Sequence, residues 1–293
     1  MDFQLVIDAK AGIAETPVWD GRAGRLYWTD VAEGDIHGWH RQTGEEQVWH
    51  TGKMIGSAVP CEDEGKMFCA LDGGLFLLDF ETSKLELICN PDERPGYRYN
   101  DSRVDAKGRV FTSSVSKVYG SDDYQPDMQG NFYMVDTDGT VTLLVEGVNQ
   151  YNGIVWNKEG TKMYVVDTWN FKLMMFPYDI ERGPTWDPEG VLDLKEMGMP
   201  DGMSIDEEDS LYICHWSGRI SVWDKDLKLA DTITLPVGNV CCGGFGGDDG
   251  KDFYVASASW GYTDEDFEKN PGAGGIFAAR SETAGRGDFF YPG

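Results

Sequence analysis

Long apolar runs are missing from this 293-residue sequence, and none reaches the length needed to span a bilayer. The opening residues, MDFQLVIDAK, lack a basic start, an apolar core of signal-peptide length and a cleavage site. These absences predict a soluble, cytoplasmic chain with no membrane partner. Positive charge is scarce too: 25 Lys and Arg stand against 51 Asp and Glu, a net charge of −26. Such a surface repels phosphate backbones and anionic lipids, which excludes nucleic acid as a partner. The acidic excess is spread along the chain and reads as a solvated face.

Histidine is limited to four positions, His37, His40, His50 and His215, and neither H-E-x-x-H nor G-x-S-x-G occurs. The usual zinc-protease and serine-hydrolase machinery is therefore absent. His215 reads as a structural histidine of an inner strand, the other three as surface residues. The six cysteines, Cys61, Cys69, Cys89, Cys214, Cys241 and Cys242, have no C-x-x-C spacing, so they read as buried thiols. A disulfide between the adjacent Cys241 and Cys242 would be strained. No Pro-rich or Gly/Ser-rich tract marks a linker, and residues 1–293 are read as one domain.

What is abundant is glycine, with 37 residues, and aromatic side chains, at 13%. That pairing favours short strands joined by tight turns. Six stretches share a pattern of an aromatic-bearing strand, a turn and a second strand. The marker aromatics are Tyr27, Phe68, Phe111, Tyr164, Tyr212 and Tyr254, at steps of 41, 43, 53, 48 and 42 residues. A period of ~40–50 residues with four strands per unit is that of a β-propeller blade. The sequence thus predicts an all-β, six-bladed propeller, closed by pairing FQLVI near the N-terminus with the last blade.

Propellers bind ligands on the channel axis, where the chain enters each innermost strand. The entry segments AGIAETPVWD, VNQYNGIVWN and GMPDGMSID each place one oxygen-bearing residue before a small or turn residue: Glu15, Asn152 and Asp201. The third unit adds Asn100, inside a turn-like quartet from Arg98 to Asp101. An all-oxygen set with two carboxylates suits a hard cation such as Ca²⁺, Mg²⁺ or Mn²⁺. Trp28, Trp216 and Trp260 read as packing between blades.

Read together, AETPVWD, LYWTDV, RYNDSRVDAKGR, NGIVWN, PDGMSIDEEDSLYI and CCGGFGG resemble the successive motifs of the SMP-30/gluconolactonase/luciferin-regenerating-enzyme-like family. The resemblance runs from about residue 12 to residue 277. It implies metal-dependent hydrolysis of a sugar lactone by a monomer or small homo-oligomer, with one divalent ion (Ca, Zn, Mn or Mg) on the channel axis. It further implies that Glu15, Asn152 and Asp201 hold the metal, that Asn100 lies at or beside it, and that Arg98 contacts substrate hydroxyls. Asp201 would also assist deprotonation of the attacking water, and Asp101 is structural. One departure from the animal gluconolactonases is TSSVSKVYG, which offers no carboxylate before Asp122 and leaves the sugar open. Two alternatives stand beside this reading: a hydrolase of another ester or phosphotriester, and a non-catalytic metal-binding propeller.

Overall fold

The computed structural model describes residues 1–118, 121–125, 127–184 and 188–293. They form a six-bladed β-propeller. Blade one consists of Ala14–Asp20, Arg25–Asp30, Asp35–His40 and Glu46–His50, paired in chain order. The innermost strands of blades two to five are Ile55–Pro60, Tyr97–Val104, Tyr151–Trp156 and Pro200–Ile205. Blade six is made from both chain regions. Val240–Gly246, Asp252–Ser257 and Ile276–Arg280 are completed by Gln4–Ile7, in the register Gln4 to Ala278 and Leu5 to Phe277. The closure expected of FQLVI is therefore observed.

Marker aromatics recur because each lies on the second strand of its blade, at the seam with a neighbour. Tyr27 stacks on Phe80 with centroids 5.9 Å apart, and Phe111 meets Trp156 edge-on at 5.3 Å. Tyr212 meets Phe245 at 5.2 Å and Tyr254 stacks on Trp19 at 6.1 Å. Tyr164 packs with Met203, Ile205 and Ile213 of blade five. Wedge-shaped seams demand a large side chain once per blade, and the period in the sequence is that demand.

Within each blade the inner strands are buried on both faces while the outer ones face water. Ile55–Pro60 is buried throughout, whereas Leu229–Thr234 has one buried position in six. One short α-helix among the described residues, Asp264–Lys269, is inserted in blade six behind a capping box of Thr263 and Asp266. No helix among the described residues is long and apolar enough to cross a membrane.

Beyond blade six the chain returns across the far end of the channel. Arg286 donates its backbone N–H to Ile205 of blade five, and Tyr291 donates to Pro60 of blade two. Blades five and two face each other across the ring, so residues 286–291 strap that mouth. The ring of Tyr291 lies 5.1 Å from Phe68, taking the seam position of blade two.

Candidate metal and active site

At the near end of the channel the innermost strands share a local irregularity. Each one has a shift in register near its start: between Glu15 and Val18, Ile55 and Ser57, Tyr99 and Ser102, Asn152 and Val155, Pro200 and Met203, and Val240 and Cys242. These are β-bulges, which re-aim a side chain and increase local twist. Counting from the residue opposite each marker aromatic, the position three residues earlier is Glu15, Gly56, Asn100, Asn152, Asp201 and Cys241. One residue per blade thus occupies the same place around the axis.

That placement corrects the reading of these segments as entry turns. Arg98 to Asp101 lie within the strand Tyr97–Val104, and Pro200 and Gly202 lie within Pro200–Ile205. Asn-Gly and Asp-Gly pairs suit a bulge as well as a turn, because both need small or αL-tolerant residues. Gly153, at φ 54°, occupies such a conformation just after Asn152.

All of the predicted site residues come together. Glu15, Arg98, Asn100, Asn152 and Asp201 line one pocket of about 60 Å³, with Asp101, Gln150 and Trp216. Asn152 is oriented by its amide nitrogen, which donates to Thr168 Oγ1 at 2.8 Å, while its Oδ1 accepts from Asn100 Nδ2 at 2.5 Å. Asn100 Oδ1 accepts from Arg98 at 3.2 Å, and Asn100 shares the pocket with the two carboxylates. Asp101 accepts from Arg103 at 2.7 Å and from the backbone N–H of Gly153 at 2.9 Å, as a structural residue does. Arg103 in turn lies 3.6 Å from Asp288 of the strap.

Two residues were misread. Trp216, expected between blades, lines the pocket and donates its indole N–H to Asp201 Oδ2 at 2.6 Å. Trp260 is 60% exposed and fills no seam, although Trp28 is buried as expected. Cys241 was overlooked as a neighbour of the two carboxylates. Its Sγ and the carboxylates of Glu15 and Asp201 offer ligand atoms all within 4.8 Å of one another. The signal was available, since Cys241 holds in blade six the position that Glu15 holds in blade one. Both Cys241 and Cys242 are free thiols.

The structural reading of His215 holds, whereas Cys89 is only half-buried and His37 is stacked on Trp28 at 3.8 Å rather than free at the surface. His215 is buried, with Nδ1 3.1 Å from the Gly198 carbonyl and Nε2 2.8 Å from Ser221 Oγ, and burial lowers its pKa to about 4. In the divergent stretch Thr112 to Gly120, Lys117 pairs with Asp72 at 2.6 Å, and Tyr119 and Gly120 lie outside the described residues.

The electrostatics favour a cation. Burial, then the adjacent Asp201 and Asp101, push the Glu15 carboxyl well above its ordinary pKa. Burial likewise raises Asp201 to about 7, against the lowering effect of the Trp216 hydrogen bond. Among the residues lining this pocket, Glu15, Asp101 and Asp201 stand against Arg98, a formal excess of two negative charges. One divalent ion neutralises it, and two carboxylates with an amide oxygen form a fitting hard-donor set. Cys241 is a poorer donor for such an ion, because burial raises its thiol pKa well above the ordinary value and keeps it protonated.

A stability test follows from the sign of these shifts. Asp201 moves from 3.8 to about 7 on folding, so the folded ion-free chain binds a proton that the unfolded chain has released. Stability of metal-stripped protein should fall as pH rises from about 4 to about 7, by the linkage relation. Thermal unfolding at several pH values reads this out. The Asp201→Asn protein should show a shallower slope, and an equal slope would detach the effect from this site.

Comparison with known proteins places the fold and pocket in context. Residues 13–259 match the model of the SMP-30/Gluconolactonase/LRE-like region. The chain is 30% identical to regucalcin of Danio rerio over 281 residues, covering 94% of this chain and 92% of the relative. It is 27% identical to pentonolactonase XacC of Haloferax volcanii over 299 residues, covering 99% and 98%. A solved calcium-binding regucalcin from Agrobacterium tumefaciens superposes with a TM-score of 0.90 at 27% identity, covering 98% of this chain and 96% of the other. With the family model spanning most of its length, the chain belongs to the SMP-30/gluconolactonase/LRE-like family.

Proposed function

We propose that this protein hydrolyses a sugar lactone to the aldonic acid with the help of one divalent ion. The observation that carries the reading is the meeting of Glu15, Asn152 and Asp201 in one pocket with Arg98 at its wall. Support comes from the family match and from relatives named for lactonase activity.

Glu15, Asn152 and Asp201 would hold the ion, with Asn100 beside them. When bound, such an ion supplies Lewis-acid polarisation of a carbonyl and lowers the pKa of water. The chain's own groups do the rest. Trp216 holds one oxygen of Asp201, which fixes the carboxylate so that it can take a proton from an attacking water. Arg98 stays cationic, since burial lowers its pKa only to about 10. Its donors beyond the bonds to Tyr99 O and Asn100 Oδ1 are available to lactone and hydroxyl oxygens.

The test is acid release from hexono- and pentonolactones by metal-stripped protein, with Ca²⁺, Mg²⁺, Mn²⁺ or Zn²⁺ restored singly. At least one lactone should release acid only when an ion is present, and silence with every lactone and ion would sink the proposal. Cys241→Ser should weaken Zn²⁺ alone, because only the softer ion gains enough from a thiolate to displace the proton from this buried thiol.

A further inference from the structure

The stretch Thr112 to Gly120 brings no carboxylate of its own to the pocket, but it brings a lysine that holds one. Asp72 follows the second strand of blade two, Lys66–Leu71, and its backbone forms an isolated bridge with Arg98 of blade three. Its Oδ2 accepts from Lys117 Nζ at 2.6 Å, and its carbonyl accepts from Lys53 Nζ at 3.1 Å. Lys117 follows the strand Val110–Ser116, in which Val115 lies opposite Arg98, and the pairing continues through its N–H to Gly96 O at 2.9 Å. Residues two apart share a face of a sheet, so Lys117 lies on the face that Arg98 occupies.

Turn chemistry does not account for Asp72. At other hairpin turns, Asp63, Asp105, Asp138, Asp206 and Asp224 each accept from the backbone N–H two residues on. The Asp72 carboxylate accepts from no backbone N–H among the described residues, and its bond to Lys117 crosses to the next blade. Its Oδ1 has no partner there and is not among the buried orphan atoms, so on a side chain 32% exposed that oxygen meets solvent. Arg98 connects it to the pocket. Glu15 and Asp72 both act on the Arg98 guanidinium, which puts this pocket-lining cation within the field of an inner and an outer carboxylate.

We infer that Asp72, anchored by Lys117, accepts a hydroxyl of the substrate and so determines specificity. The inference rests on the lactonase reading of the pocket and narrows its substrate to a neutral, hydroxylated lactone. Arg98 can only donate and the Asp72 carboxylate can only accept, whereas a hydroxyl does both. The pair therefore matches a hydroxyl at the mouth better than the bare methylene of an unsubstituted ring. Lys117 occupies one oxygen, which fixes the carboxylate and leaves Oδ1 for the substrate.

Hydrolysis is compared for sugar lactones and bare rings of the same size: D-glucono-1,5-lactone with δ-valerolactone, and D-xylono-1,4-lactone with γ-butyrolactone. Asp72→Ala should lower the ratio of kcat/KM values, sugar over bare ring, about 10–100-fold, the scale of a hydrogen bond to a charged group. A merely structural defect slows both members and leaves the ratio. Lys117→Met should lower it less, because Asp72 loses its anchor and keeps its oxygens. Where the wild type does not turn over the bare ring, the loss appears as a rise in KM for the sugar lactone rather than a fall in kcat. If Asp72→Ala changes neither ratio nor KM, the inference falls while the lactonase reading stands; silence with every lactone ends both. Faster hydrolysis of D-glucaro-1,4-lactone, which carries a carboxylate, with that preference lost in Lys117→Met, would assign the mouth to an anion and overturn the inference.

Discussion

Asp201→Asn should lower lactone hydrolysis by ~10²–10⁴-fold even at saturating metal, the usual cost of losing a general base. The substitution is close to isosteric and keeps one oxygen toward the pocket, while an amide nitrogen replaces the Oδ2 that accepts from the Trp216 indole at 2.6 Å. Metal affinity should therefore fall only in part. Glu15→Gln should behave differently. Glu15 is the other carboxylate of the pair and is proposed as a ligand alone, so its loss should act through metal affinity and excess ion should restore much of the rate. Titrating hydrolysis against metal concentration for both variants separates the roles. Recovery of Asp201→Asn to near wild-type turnover at saturating metal would reduce Asp201 to a ligand and leave the base to be found elsewhere.

Gly56→Ala should cost about 10²-fold in turnover although no side chain of Gly56 exists to touch substrate. Gly56 takes blade two's place in the ring of bulge positions, and a Cβ there would lie 2.4 Å from the carbonyl oxygens of both Tyr99 and Asn100. Backbone cannot yield as a flexible side chain does. The strand that carries Arg98 and Asn100 must shift, and misplacement on the order of 1 Å at a reacting centre can cost ~10²-fold. Stability should drop as well, by about 1–3 kcal/mol for overpacking. Turnover and thermal unfolding measured together decide the matter: wild-type kinetics in a destabilised variant would mean that the clash is absorbed away from the site.

The propeller was legible because the seams ask for one large aromatic per blade, and residues such as Tyr27 and Phe111 answer at a fixed spacing. The site was legible where it uses chemistry that stands out in a strand, as with Glu15, Asn152 and Asp201. It was hidden where the residue type has an ordinary explanation. Cys241 passes for a buried apolar residue, Gly56 leaves nothing to read, and Trp216 resembles any other packing tryptophan. The turn reading of Arg98 to Asp101 failed for a related reason. A bulge and a turn recruit the same small and polar residues, and only the pairing with Val110–Ser116 tells them apart. The strap from Arg286 to Tyr291 went unread because its contacts are made with blades far away in sequence.

Blade six, finally, joins Gln4–Ile7 to Ile276–Arg280. A ribosome delivers these two strands five blades apart, so the strand made first waits for its neighbour until those blades have emerged. Throughout elongation the nascent ring is an arc with open hydrogen-bonding edges, the condition in which strands find the wrong partner. Emergence of Ile276–Arg280, rather than completion of any earlier blade, is thus the moment at which the edges of the circle can meet.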